Sequence, residues 1–113
     1  MIAGGGFWIQ GVKAVIPIEL TVIVEDENDR KSSTEVIGVV QLPCAPLDGM
    51  KFESPDGNCK DLPLEGLVYD LRKGMFTGLL CDRGPADLLE EIIQSWRDLG
   101  FRTYLERMQE SAE

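Results

Sequence analysis

Val15-Ile16-Pro17-Ile18-Glu19-Leu20-Thr21-Val22-Ile23-Val24-Glu25 is the stretch whose reading decides the fold. Ile16, Ile18, Leu20, Val22 and Val24 recur at a period of two, so an extended chain sets all five on one face. The β-branched side chains suit a pleated, half-buried surface. Pro17 has no N–H to give to a ladder, so the start of the strand is expected to be an edge or to have its partner elsewhere. Asp26 to Ser33 then runs entirely polar, and Glu35 to Leu42 is again rich in Val and Ile. That order reads as a β-hairpin with a long solvated tip.

Working outward toward the C-terminus, Pro43, Pro46, Gly49, Pro55, Gly57, Pro63 and Gly66 punctuate the middle of the chain. They leave no room for an ordinary helix between Leu42 and Leu71. Pro46-Leu47-Asp48-Gly49 reads as a turn delivering Met50-Lys51-Phe52-Glu53 as a short strand, and Ser54-Pro55-Asp56-Gly57-Asn58 reads as the next turn. Leu64 to Leu71 and Met75 to Asp82 read as two strands around Arg72-Lys73-Gly74. Gly66 and Gly78 break their alternation, which suggests bulges or sharp bends.

The character changes at Gly84-Pro85-Ala86-Asp87. Proline suits a first helical position, and Leu88, Leu89, Ile92, Ile93, Trp96 and Leu99 form an apolar stripe at helical spacing. The helix should stop at Leu99, with Gly100 in the left-handed cap position and Phe101 packing back on Trp96. Beyond it, Phe101, Tyr104, Leu105 and Met108 fit a second helical stripe, while Phe101 to Leu105 also fits a strand. The strand is the preferred reading.

Strands first and a helix afterwards, joined by short turns, favour antiparallel neighbours. The strand count and the Pro46-x-x-Gly49 lead-in to Met50-Lys51-Phe52 resemble a small SH3-like barrel with a C-terminal helix, over residues 15–99. The expected fold class is therefore α+β: a small, strongly bent antiparallel sheet or SH3-like partial barrel of about five strands, with one C-terminal amphipathic helix packed on it. A chain of 113 residues and 12.5 kDa should bury roughly two-thirds of its unfolded surface, enough for one domain. Residues 1–14 read as a glycine-rich arm and 15–113 as a single domain. Phe7 and Trp8 stand out in the arm, either folding back over an open edge of the core or meeting another chain.

The chain carries 20 acidic and 11 basic side chains, for a formal charge of -9. Phosphate-tracking surfaces need clustered lysine and arginine, so a nucleic-acid role is not expected, nor is attachment to anionic lipid. No apolar run reaches the roughly 20 residues that span a bilayer, and the opening lacks the basic start and apolar stretch of a leader. The expected compartment is the cytoplasm. Cys44, Cys59 and Cys81 are an odd, widely spaced set, which points to reduced thiols.

With no histidine in the chain, Ser-His-Asp and Cys-His catalysis are excluded. Three cysteines alone do not complete a four-thiolate zinc site, and no cofactor or metal is expected. Cys81 is the one thiol placed near a helix start, but a small apolar residue on a buried strand face explains it better. Gly4-Gly5-Gly6 lacks the strand, lysine and helix of a phosphate cradle. Asp26, Glu27, Asn28 and Asp29 do not have the order of a calcium loop, so a solvated tip is the expected role. Glu90 with Glu91, and Asp56 with Asp61, are pairs that so acidic a chain produces by chance.

What remains is contact rather than chemistry. The expected function is a non-catalytic protein-interaction or structural module, binding an unknown protein partner or itself. Its candidate contacts are Phe7, Trp8, Asp26, Glu27 and Asp29. The alternative is an acidic inhibitor or immunity-type protein that uses its charge to meet a basic partner.

Overall fold

The structure, a computed structural model, describes residues 15–112, and Phe7 and Trp8 lie outside them. β1 (Ile16–Asp26) and β2 (Asp29–Leu42) form an antiparallel hairpin in which Ile16 faces Leu42 and Glu25 faces Ser33. The expected long tip is a two-residue turn, Glu27-Asn28. Thr34 and Ser33 stay opposite Val24 and Glu25, and a register shift then puts Asp29 opposite Asp26, with residues 30–32 carried past β1 in between.

β3 (Lys51–Phe52) and β4 (Leu62–Pro63) make a small separate hairpin. β5 (Glu65–Asp70) and β6 (Met75–Gly84) follow, antiparallel to each other. The α+β class holds, but the expected antiparallel sheet or SH3-like partial barrel fails at β6. It pairs with β1 in parallel, from Ile18 opposite Phe76 to Asp26 opposite Gly84, giving the order β2-β1-β6-β5 in a mixed, open sheet. Short turns do make antiparallel neighbours within each hairpin. The long connection from Leu42 to Glu65 then brings the second hairpin to the free side of β1, where direction is set by the connection's path. Pro17 lies just before the residues that β6 joins, as its missing donor requires.

Ile18, Leu20, Val22 and Val24 of β1 share one sheet face with Val36 of β2 and Leu80 of β6, all buried. A 3-10 turn at Ala86–Leu88 leads into α1 (Leu89–Arg97), which lays Ile92, Ile93 and Trp96 on that face. Regular helical bonding ends at Arg97, and a capping turn runs through Leu99. Gly100 has φ 99° and donates its N–H to Arg97 O at 2.9 Å, while Phe101 N–H reaches Trp96 O at 3.1 Å. The Phe101 ring then packs edge-on against Trp96 with centroids 5.0 Å apart, the apolar contact that accompanies this motif.

Two helices follow the strands, not one. After Phe101 the chain makes a single bridge, with Ile37 N–H to Arg102 O at 2.8 Å and Arg102 N–H to Ile37 O at 3.0 Å, on the outer side of β2. It then enters α2 (Tyr104–Ala112), where a strand was expected. The reason is a capping box: Glu106 N–H donates to Thr103 Oγ1 at 3.2 Å, and Thr103 N–H donates to Glu106 Oε1 at 2.8 Å. The two strand-breaking glycines differ in role. Gly66, at φ 59°, sits in a register shift between Glu65 and Val68, whereas Gly78 leaves room for the buried Leu64, whose Cδ1 lies 2.5 Å from where a Cβ would stand. No helix among the described residues is long and apolar enough to cross a membrane.

Candidate functional site

One sheet face is covered by α1, and the other is not. Pairing carries Glu19, Thr21, Ile23 and Glu25 of β1 to this second face, with Ile37 and Val39 of β2 and Thr77, Leu79 and Cys81 of β6 beside them. The face is half-buried rather than polar, because Ile23, Ile37 and Leu79 stand where an ordinary exposed face would carry charge.

α2 lies against one side of this face and turns it into a groove. Tyr104, Arg107 and Met108, at spacings of three and four, share a side of the helix and form one wall. Glu19, Thr21 and Ile37 form the floor, and Lys73, from the turn between β5 and β6, closes one end. That turn is held by Asp70, whose Oδ1 accepts the N–H groups of Arg72 at 2.9 Å and Lys73 at 3.1 Å. The groove is shallow and open to solvent, with a volume of about 690 Å³. α2 is fixed by its cap and by ion pairs from Arg97 to Glu106 and from Arg102 to Glu110, each at 3.3 Å. The Thr103 N–H, chiefly, and Arg97 hold the Glu106 carboxyl below its ordinary range.

The charged groups of the groove converge on Glu19. Lys73 Nζ lies 2.5 Å from Glu19 Oε1, and Arg107 lies 3.8 Å from Oε2. The Glu19 side chain is 12% exposed, against 48% for Lys73 and 45% for Arg107. Among the residues that line the groove, two cations stand against one carboxylate, in a chain of net charge -9.

The acidic residues singled out from the sequence do come together, at the opposite end of β1, where they hold the hairpin turn. Asp26 is buried and its Oδ1 accepts Asn28 N–H at 2.8 Å. Asp29 accepts Lys31 N–H and the Ser32 hydroxyl, both at 3.1 Å. Glu27 is exposed at the tip, with its N–H on Gly84 O at 3.0 Å.

Cys81 lies on the half-open face and donates its thiol to Glu25 Oε1 at 3.3 Å, beside an ion pair between Glu25 and Arg83. Burial, and then the Glu25 carboxylate, push the thiol pKa up, the reverse of an activated nucleophile. Glu90 and Glu91 are exposed on α1, and Asp56 caps its own turn by accepting the Ser54 hydroxyl and Asn58 N–H. Among the described residues, no group of three or more cysteine, aspartate or glutamate side chains is arranged to hold a metal ion.

Sequence reasoning missed the groove, and two signals pointed to it. Ile23 breaks the polar half of the β1 alternation, and Thr103-Tyr104-Leu105-Glu106 has the spacing of a capping box, which fixes α2 and hence its inward face. No family model, curated protein or solved structure matches this chain.

Proposed function

We propose that this chain is a non-catalytic protein-interaction module whose contact surface is the α2 side of the sheet. The observation that carries the reading is the exposure of Tyr104, Leu105 and Met108, at 66%, 70% and 52%, on one short helix beside the half-open sheet face. Large apolar side chains gathered on a surface mark contact sites far more often than scattered ones do. Val39, 46% exposed and two residues along β2 from Ile37, extends the same patch. The acidic-inhibitor reading draws less support, because Asp26 and Asp29 are engaged in the hairpin turn.

The test is site-specific photo-cross-linking in cells from a benzophenone side chain at position 105. A discrete cross-linked protein is expected, and it should disappear when Met108→Glu is added. An unchanged circular dichroism spectrum and melting temperature would show that this change leaves the fold intact. A smear, or a product indifferent to Met108→Glu, removes α2 as the contact surface.

A further inference from the structure

We propose that the groove takes from its partner an acidic anchor, meaning one large apolar side chain lying beside a carboxylate. The proposal rests on the reading of the α2 face as the contact surface, and it assigns that surface a chemistry. The walls dictate the apolar part. Ile37 on the floor faces Tyr104 and Met108 on the helix, around a space of about 690 Å³. An open groove of this size leaves room for an aromatic or branched side chain lying along it with its outer edge in solvent.

Charge dictates the acid. Glu19 is largely buried and engages two cations unequally. Lys73 makes a hydrogen bond at 2.5 Å, whereas Arg107 stays at 3.8 Å, beyond hydrogen-bond length. The guanidinium lines the groove with its planar donors not taken up by Glu19, and a second carboxylate entering there meets the fork geometry that arginine offers to acids. It also sets a second carboxylate against the two cations that line the groove. A basic segment would add a further cation, and a neutral one would leave the Arg107 donors to water. The net charge of -9 opposes any approaching acid, but beyond about 8 Å that repulsion is screened at physiological salt. An acid therefore reaches Arg107 only when an apolar neighbour draws it into the groove, and this coupling makes the two-part anchor specific.

The experiment titrates the full ¹⁵N-labelled chain with N-acetyl-L-tryptophan and with N-acetyl-L-tryptophanamide, which share an apolar body and differ in the carboxylate. Saturable shifts are expected at the amides of Thr21, Ile37 and Met108, with the acid binding about fivefold or more tightly than the amide. Arg107→Gln should abolish the preference for the acid over the amide. Equal affinities in the unaltered chain, or a preference that survives Arg107→Gln, overturn the proposal. So do shifts of the same amides on simple dilution, which would seat a second copy in the groove. Shifts of those amides on Trp8→Ser without ligand would seat the chain's own N-terminal residues there, and they overturn it equally. A cross-link at position 105 that persists without any acid preference sinks the anchor and leaves the contact surface standing. The opposite pair of results does the reverse.

Discussion

Asp82 is a carboxyl set into the apolar layer between sheet and helix, 1% exposed, with its Oδ2 accepting the Trp96 indole N–H at 2.9 Å. Burial pushes its pKa above the ordinary 3.8, the Trp96 bond pulls the other way, and Asp56 adds a smaller upward push. A raised folded-state pKa means that the folded chain binds the proton more tightly. Between the unfolded value and the folded one, stability therefore falls as pH rises. Asp82→Asn keeps the acceptor for Trp96 and abolishes the ionisation. Urea unfolding just below pH 3.8 and at neutral pH should show the native chain losing stability relative to the Asn variant between the two. Parallel stabilities at both values would clear Asp82. Glu106 acts in the opposite sense below 4.5, its ordinary value, and is common to both chains.

At the same scale, two strand glycines should differ. A Cβ at Gly38 would stand 2.6 Å from Phe101 Cδ1, on a ring that is 0% exposed, whereas one at Gly78 would meet the terminal methyl of Leu64. A methyl rotates away more easily than a locked ring shifts. Gly38→Ala should cost about 1–3 kcal/mol, and Gly78→Ala less, by thermal melting. The reverse order would show that Phe101 has room to move.

Among the elements, α2 owes its existence to its first turn. Thr103→Ala removes half of the capping box, worth about 0.5–2 kcal/mol of helix stability. The loss should fall on α2 rather than on the core, because the core cluster draws no residue from it. Hydrogen exchange of the Arg107 to Glu110 amides should accelerate while that of Leu20 to Val24 stays unchanged. Uniform acceleration would mean that α2 is part of the global unit. β1 and α1 were legible in the sequence because each carries an uninterrupted apolar period, and the cap at Gly100 was legible because left-handed backbone so often requires glycine. α2 was not, since Phe101, Tyr104, Leu105 and Met108 fit a helical stripe while Phe101 to Leu105 also fits a strand, and the deciding signal was two polar side chains, Thr103 and Glu106. The polar start of β2 was hidden for a related reason: Asp29, Ser33 and Thr34 are held by their partners on β1, and their own side chains do not ask for a strand.

At the scale of the whole molecule, the hairpins could be read and their assembly could not. Nothing in residues 43–64 states which side of β1 will receive β6, or in which direction, and the parallel pairing rests on contacts about 60 residues apart in the chain. The candidate site shares this fate, because Glu19, Ile37, Lys73 and Arg107 come from four separate segments that only the assembled sheet brings together.

The same assembly leaves β2 as a 14-residue strand at the rim of the sheet, and the Ile37–Arg102 bridge occupies its outer side near the middle. Long open rims invite a neighbouring molecule to add itself as one more strand. Arg102→Pro deletes the N–H that completes the bridge, whereas Arg102→Ala keeps it. Warmed at equal concentration, the proline form should scatter light and bind thioflavin T, while the alanine form stays clear. If both stay clear, the Arg102 N–H bond has no protective role. If only the proline form clouds, one ladder rung keeps the molecules from growing end on end into fibrils.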